Sequence, residues 1–231
     1  MAASVPLAQK GERSFGGALS VRVPTVLDTV RDRQQTHPPS DASSLENVVL
    51  NDYEGHPVRL GDLWSERPAV LVFVRHFGCV FCRQMAVDIH RHRDKFDEAD
   101  VELAVIGHGL PEHAADFRKL QNVDLRLLVD PDRKVYDLAG AKVATLNELI
   151  GPRQILRGLK ATVMSRLKQG SIAVHQGKII GHAAQLGGVL VIAPDGSVRY
   201  AHLSEESGDN PPAREVLAAA RAIRPHLNSG S

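Results

Sequence analysis

An α/β fold, with a central mixed sheet flanked by helices, is what this sequence predicts, and three features carry the prediction. Between positions 69 and 129 the chain alternates strand-like and helix-like segments, the βαβ rhythm of a parallel sheet. The first segment, Ala69-Val-Leu-Val-Phe-Val74, is an unbroken β-branched and aromatic run, the texture of a strand covered on both faces. Near the C-terminus, Gly188-Val-Leu-Val-Ile-Ala-Pro-Asp-Gly196 and Ser197-Val-Arg-Tyr-Ala-His202 read as a hairpin around a Pro-Asp-Gly turn.

Residues 1–44 alternate short apolar and polar pieces and close on His37-Pro-Pro-Ser-Asp-Ala-Ser-Ser44, so they read as a flexible N-terminal arm with one short helix at 25–34. Asn47-Val-Val-Leu50 and Pro57-Val-Arg-Leu60 flank a glycine-bearing turn and read as paired strands. After the central strand, Cys82, Met85, Ile89 and Phe96 recur at helical spacing among charged positions. Residues 101–106 form the next strand and end at Gly107-His-Gly109; Pro111 opens a helix through 120, in the position where its missing N–H costs least. A third strand at 125–129 stops at Asp130-Pro-Asp132. Helices at 134–139 and 152–168, then a weakly patterned loop over 170–187, make a helical insertion before the C-terminal hairpin. Asp209-Asn-Pro-Pro212 opens an amphipathic helix to about Ile223. This is the element order of a thioredoxin-like fold, placed at 45–225, with 226–231 as a tail.

With 231 residues, 28 Lys plus Arg against 27 Asp plus Glu, and a net charge of +1, the chain suits one domain with appendages. It offers no broad basic field, so no nucleic-acid partner is expected. No run approaches the ~20 apolar residues of a membrane span, and no stable membrane insertion is expected. The first residues lack a basic region followed by an apolar stretch, which argues against a secretory signal and for the cytoplasm. A transit peptide is the minority alternative, since Lys10, Arg13 and Arg22 face a single Glu12 over residues 1–24.

Both cysteines stand in one motif, Cys79-Val-Phe-Cys82, at a strand-to-helix junction. There the unpaired N–H groups and the dipole of the helix favour thiolate over thiol. Arg75, His76 and Arg83 flank the pair, and a nearby cation acts in the same direction. The readings left open are redox chemistry, half of a zinc site, and two buried small hydrophobes. Zinc lacks a second half, because there is no third cysteine and His90 and His92 are too close together for the usual pair; sharing across a dimer would be required. Haem attachment lacks its histidine, since Arg83 stands there. A CxxC beside a βαβ pattern favours redox chemistry.

The stretch Val74-Arg-His-Phe-Gly-Cys-Val-Phe-Cys-Arg83, with the 188–199 hairpin and Ser207-Gly-Asp-Asn-Pro-Pro212, resembles the peroxiredoxin-like proteins of the alkyl hydroperoxide reductase/thiol-specific antioxidant (AhpC/TSA) superfamily. The branch containing prostamide/prostaglandin F synthase is the nearest in pattern. The resemblance spans about 45–223 and implies a thioredoxin-fold enzyme working through its thiols. Laid on the peroxiredoxin pattern Pro-x-x-x-Thr-x-x-Cys, Cys82 takes the peroxidatic position, Cys79 the Thr position and Arg75 the Pro position. The family's second arginine is absent where Gly187-Gly188-Val189 stands, and Arg75 is the candidate to hold substrate in its place. Thioredoxin logic makes a more exposed Cys79 the nucleophile and Cys82 the resolver; peroxiredoxin logic reverses them. The order of attack stays open.

The expected function is reduction of a peroxide, in the nearest branch a lipid endoperoxide, or of a disulfide, through a Cys79–Cys82 dithiol/disulfide cycle. An external thiol, thioredoxin-like or glutathione, supplies electrons, and no cofactor or metal is expected. Gly107-x-Gly109 lacks the third glycine of a dinucleotide site. The alternative is a non-enzymatic module whose CxxC switches a partner surface at 134–186. His76 either tunes the thiolate or fills a turn, His108 lies on the ligand-binding edge of the sheet, and Trp64 is expected in the core. The basic residues of 152–168 read as a solvated face.

Overall fold

A short helix, α1 (Ser43–Glu46), leads into the hairpin of β1 (Val49–Asp52) and β2 (Pro57–Arg59), and a 3-10 turn over Leu60–Leu63 returns the chain to β3 (Ala69–Val74). The computed structural model describes residues 35–145, 148 and 184–223. After β3 come α2 (Val80–Arg91), α3 (Arg93–Asp97), β4 (Glu102–Gly107), α4 (Pro111–Gln121), β5 (Arg126–Val129) and α5 (Lys134–Leu138). The hairpin of β6 (Gly188–Ile192) and β7 (Val198–Leu203) and the helix α6 (Ala213–Arg221) complete the described chain. The expected helices at 25–34 and 152–168 and the tail at 226–231 lie outside the described residues.

These strands form one seven-stranded sheet in the order β2-β1-β5-β4-β3-β6-β7. β3, β4 and β5 are parallel, and β1, β6 and β7 are antiparallel to their neighbours. β3 sits inside the sheet and every one of its residues is buried, as its unbroken apolar run requires. Because successive side chains alternate across a strand, Val70, Val72 and Val74 enter one core, under α2, α4 and α6, while Leu71 and Phe73 enter the other. That second core holds Trp64, 4% exposed, with Leu45, Leu60, Val135 and Tyr136.

Three local differences from the sequence reading have direct causes. β1 starts at Val49 because Val48 is spent on the turn after α1, its N–H on Leu45 O at 3.0 Å and its carbonyl on Leu60 N–H at 2.8 Å. The helix read through Phe96 is two helices; His92 caps α2, its N–H on Ile89 O at 3.0 Å, and Phe96 belongs to α3. The last residues of the arm are held to the domain: His37 N–H donates to Gly140 O at 2.9 Å, and Ser40 O accepts from Val198 N–H at 2.9 Å.

Tyr136 ties the two central strands where they end. Its buried hydroxyl reaches the Val74 carbonyl and lies 3.1 Å from the Ile106 carbonyl, and its ring meets Phe73 edge-on at 5.7 Å. The carboxyl ends of β3 and β4 are thereby set side by side, at the edge where open α/β sheets place their sites.

Candidate active site

From Val74 the chain turns through 75–78 and enters α2 with Cys79 as the N-cap residue, in an extended conformation (φ −74°, ψ 128°). Cys79 N–H donates to His76 O at 3.1 Å and Gly78 N–H to His76 Nδ1 at 3.2 Å. Phe77 anchors the turn from inside, its ring 5.3 Å from that of Phe117. Cys79 O then accepts from Arg83 N–H at 3.0 Å, the first turn of the helix. Both cysteines are free thiols in the structure.

The two sulfurs are electrostatically unequal. The Cys82 thiol hydrogen-bonds to Cys79, and this outweighs the opposing effect of burial. The charge of Arg75 and the backbone N–H groups of Cys82 and Phe81 add to it, bringing Cys79 down from 9.0 to about 6. The Cys79 sulfur makes no close capping hydrogen bond, but N–H groups at a helix start favour an anion without one. Cys82 moves the other way: burial, the hydrogen bond it gives and the charge of Cys79 hold its thiol well above the ordinary value. Exposure does not separate them, since Cys79 is 6% exposed and Cys82 5%; the more exposed Cys79 expected from thioredoxin logic is not found.

Arg75 is brought to the pair. Its backbone N–H donates to Cys82 Sγ at 3.3 Å, and its Nη1 donates to Ser207 Oγ at 2.6 Å. Arg83 is buried beside the pair, its Nε 3.4 Å from Phe77 O. His76 is buried and held down to about 4, by burial first and then by the charges of Arg75, His108 and Arg83. It is a neutral acceptor for Gly78 N–H, which answers the choice left open for it: it builds the turn and adds no positive charge to the thiolate. His108 is half-buried at the end of β4 and acts on His76 and on Asp130 by charge.

A cavity of about 10 Å³ abuts Cys82, walled by Arg75, Phe81, Met85, Leu186 and Gly208 among others, space on the order of one water molecule. Gly208 has φ +82°, and a Cβ there would lie 3.1 Å from the Phe81 ring, so glycine lets the 204–210 loop close over the cysteine turn. Ser207 and Tyr136 were not singled out from the sequence. Ser207 lies inside the Ser207–Pro212 motif that carried the resemblance, but its contact is with Arg75, 132 positions away. Tyr136 had no sequence signal.

His90, in the last turn of α2, and His92, its C-cap, lie away from the cysteines in sequence; His90 Nδ1 accepts from Asp124 N–H at 3.4 Å and His92 Nδ1 meets Asp88 O at 2.8 Å. Among the described residues one group of three metal-ligating side chains forms, Asp52, Glu54 and His56, and it excludes the cysteines. Its Asp52 carboxylate is occupied as a turn acceptor for Glu54 and His56 N–H.

The sequence pattern of the AhpC/TSA antioxidant enzyme family matches residues 88–206. The chain belongs to the AhpC/TSA antioxidant family. A peroxiredoxin-like 2C of Mus musculus is 33% identical to this family member over 200 residues, 85% of each chain. A thioredoxin-like chloroplastic protein of Arabidopsis thaliana is 30% identical over 182 residues, 78% of this chain and 73% of that one. A prostamide/prostaglandin F synthase of Xenopus tropicalis is 28% identical over 173 residues, 74% and 82% of the two chains. A crystal structure of a peroxidoxin from Mycobacterium tuberculosis superposes with a TM-score of 0.58 at 23% identity, covering 82% of this chain and 100% of that one. The AhpC/TSA protein thus has the thioredoxin-like fold of peroxiredoxins and is a peroxiredoxin-like thiol oxidoreductase. Among its described residues no helix is long and apolar enough to cross a membrane.

Proposed function

We propose that the protein reduces a small hydroperoxide by a cycle that closes between Cys79 and Cys82. The observation that carries this reading is the split of the pair, with Cys79 at about 6 and Cys82 held protonated against it. At neutral pH that leaves one thiolate with a thiol already hydrogen-bonded to it. The Cys79 thiolate attacks the distal oxygen of ROOH; the O–O bond breaks, the sulfur becomes a sulfenic acid, and the departing alkoxide takes a proton as ROH. The Cys82 sulfur then displaces hydroxide, which leaves as water after taking a proton, and an intramolecular disulfide forms. Two equivalents of external thiol, glutathione or a thioredoxin-like dithiol protein, return both cysteines to thiols and are themselves oxidised to disulfide. No cofactor enters the balance.

Burial at 6% and 5% favours a small oxidant over a protein disulfide, which needs a sulfur it can touch. A lipid endoperoxide is the bulkier candidate, and the cavity of about 10 Å³ beside Cys82, walled by Phe81 and Gly208, must open to admit it. Arg75 is the proposed substrate-orienting residue, since it lines the cavity beside Cys82. A reducing compartment keeps such a pair as a dithiol between turnovers, so the cytoplasm is the proposed location. That same cavity favours a second reading, in which Cys82 meets the peroxide and Cys79 resolves it.

Hydrogen peroxide consumption with an excess of dithiothreitol separates these readings when run on wild type, Cys79→Ser and Cys82→Ser. Wild type is expected to consume many equivalents. With dithiothreitol removed and one equivalent of hydrogen peroxide added, Cys82→Ser is expected to form one sulfenic acid, seen as a mass increase of one oxygen, and Cys79→Ser none. A single turnover by Cys79→Ser alone establishes the second reading, and wild-type turnover by both single variants rejects the cycle. A redox switch without catalysis consumes peroxide no faster than dithiothreitol alone and, with dithiothreitol removed, stops after one equivalent.

A further inference from the structure

We infer that Lys142 is a positioning residue for the cysteine pair: its ammonium fixes Glu148 and Glu205 on either side of Ser207, and Ser207 holds the side chain of Arg75. The inference rests on the reading of the pair as the reactive thiols.

Lys142 is the buried element of this chain of contacts. Its side chain is 5% exposed, and its Nζ lies 2.9 Å from Glu148 Oε1 and 2.6 Å from Glu205 Oε2. Burial alone would depress its pKa; hydrogen bonds to the two carboxylates outweigh it and keep the ammonium charged. Removing the carboxylates would leave the buried ammonium without its counter-charges, so this geometry is costly to break at Lys142.

Both carboxylates lead to Ser207. The backbone carbonyl of Glu148 accepts from Ser207 N–H at 2.9 Å, and Glu205 stands two positions before Ser207 in the same loop. Glu148 is tied again through Oε2, which accepts from Thr145 N–H at 2.8 Å, and Glu205 through Oε1, which accepts from Thr36 Oγ at 2.6 Å. Ser207 is 1% exposed, and its hydroxyl accepts from Arg75 Nη1 at 2.6 Å. A serine hydroxyl cannot choose where a guanidinium sits unless its own backbone is fixed, and Lys142 adds to that fixation beside the loop's own bonds, Glu205 N–H to Asp209 Oδ2 at 2.9 Å and Ser204 N–H to Gly187 O at 3.0 Å. Arg75 in turn favours the thiolate form of both cysteines by charge, so its placement bears on reactivity as well as on stability. Among the described residues, the other charged and titratable groups around the pair include His76 and Arg83 on the same segment, His108 just after β4 and Tyr136 from α5.

The test is the pH dependence of iodoacetamide alkylation, read by intact mass on the full chain as wild type, Lys142→Gln, Lys142→Arg and Ser207→Ala. Lys142→Gln and Ser207→Ala are expected to raise the apparent pKa of the reactive thiol by about half a unit or more, the scale on which a displaced cation acts. Lys142→Arg, which keeps the charge, is expected to return the profile toward wild type. A purely structural role would lower the unfolding midpoint and leave the profile in place. If Lys142→Gln does not fold, Glu205→Gln weakens the same anchor at an exposed carboxylate and takes its part. The inference is overturned if the profiles of the charge variant and Ser207→Ala superimpose on that of wild type. A wild-type profile with no thiol titrating below 8 instead rejects the reactive-thiolate reading itself, because that is read from the absolute midpoint and the inference from the difference.

Discussion

A Cβ placed on Gly107 would lie 2.4 Å from the tip of the Phe77 ring, with two more ring carbons within 2.8 Å. The glycine that ends β4 is therefore the floor on which the cysteine turn rests. The Phe77 ring also packs on Phe117, their centroids 5.3 Å apart. Gly107→Ala is expected to cost about 1–3 kcal/mol, the usual penalty for overpacking a filled core, measured as a lower midpoint in chemical denaturation. Phe77→Leu in the same chain is expected to recover part of that loss, because contacting residues do not act additively. An unchanged midpoint for Gly107→Ala would show that the ring has room to move.

Cys82→Ala removes the hydrogen bond that does most to lower Cys79. The Cys79 thiol is expected to titrate upward from about 6 toward its ordinary range. At pH 7 the wild-type thiol is mostly ionised and the variant thiol mostly is not, so alkylation of Cys79 slows at pH 7 and converges on wild type near pH 9. Alkylation rates followed across that range check this, and a midpoint that does not move sinks the assignment of Cys82 as the donor.

His76 makes the fold acid-sensitive. Its pKa falls from 6.5 to about 4 on folding, so below pH 6.5 the unfolded chain binds a proton that the folded chain refuses. The contribution is fully present above pH 6.5 and is lost as pH falls through the folded value near 4. At full extent the shift corresponds to about 3 kcal/mol. Stability measured by urea unfolding is expected to drop between pH 6.5 and pH 4.5 in wild type. His76→Asn retains an acceptor for Gly78 N–H and is expected to show a smaller drop; an equal drop in both would place the acid sensitivity elsewhere.

The parallel centre of the fold was legible because its signals are local. Ala69–Val74 carries no polar residue, Pro111 marks a helix start, and Pro-Asp-Gly marks a hairpin turn. The boundary at His92 was not legible, since Phe96 keeps helical spacing with Ile89 across a break made by backbone capping. Nor did periodicity show that residues 37–42 are held to Gly140 and to the β6–β7 turn, because those bonds join backbone groups whatever side chains they carry.

The candidate site divides in the same way. A CxxC at a strand-to-helix junction, flanked by Arg75, is a matter of spacing along one segment, and the chain alone specified it. The bond from Arg75 to Ser207 and the space beside Cys82 came only with tertiary structure. The Cys82 thiol reaches Cys79 only when the turn is folded over Phe77 and Gly107, and Ser207 reaches Arg75 only when a loop from the far end of the sequence closes over Phe81. Burial, proton sharing and long-range contact belong to the packed arrangement, and the order of residues carries no record of them.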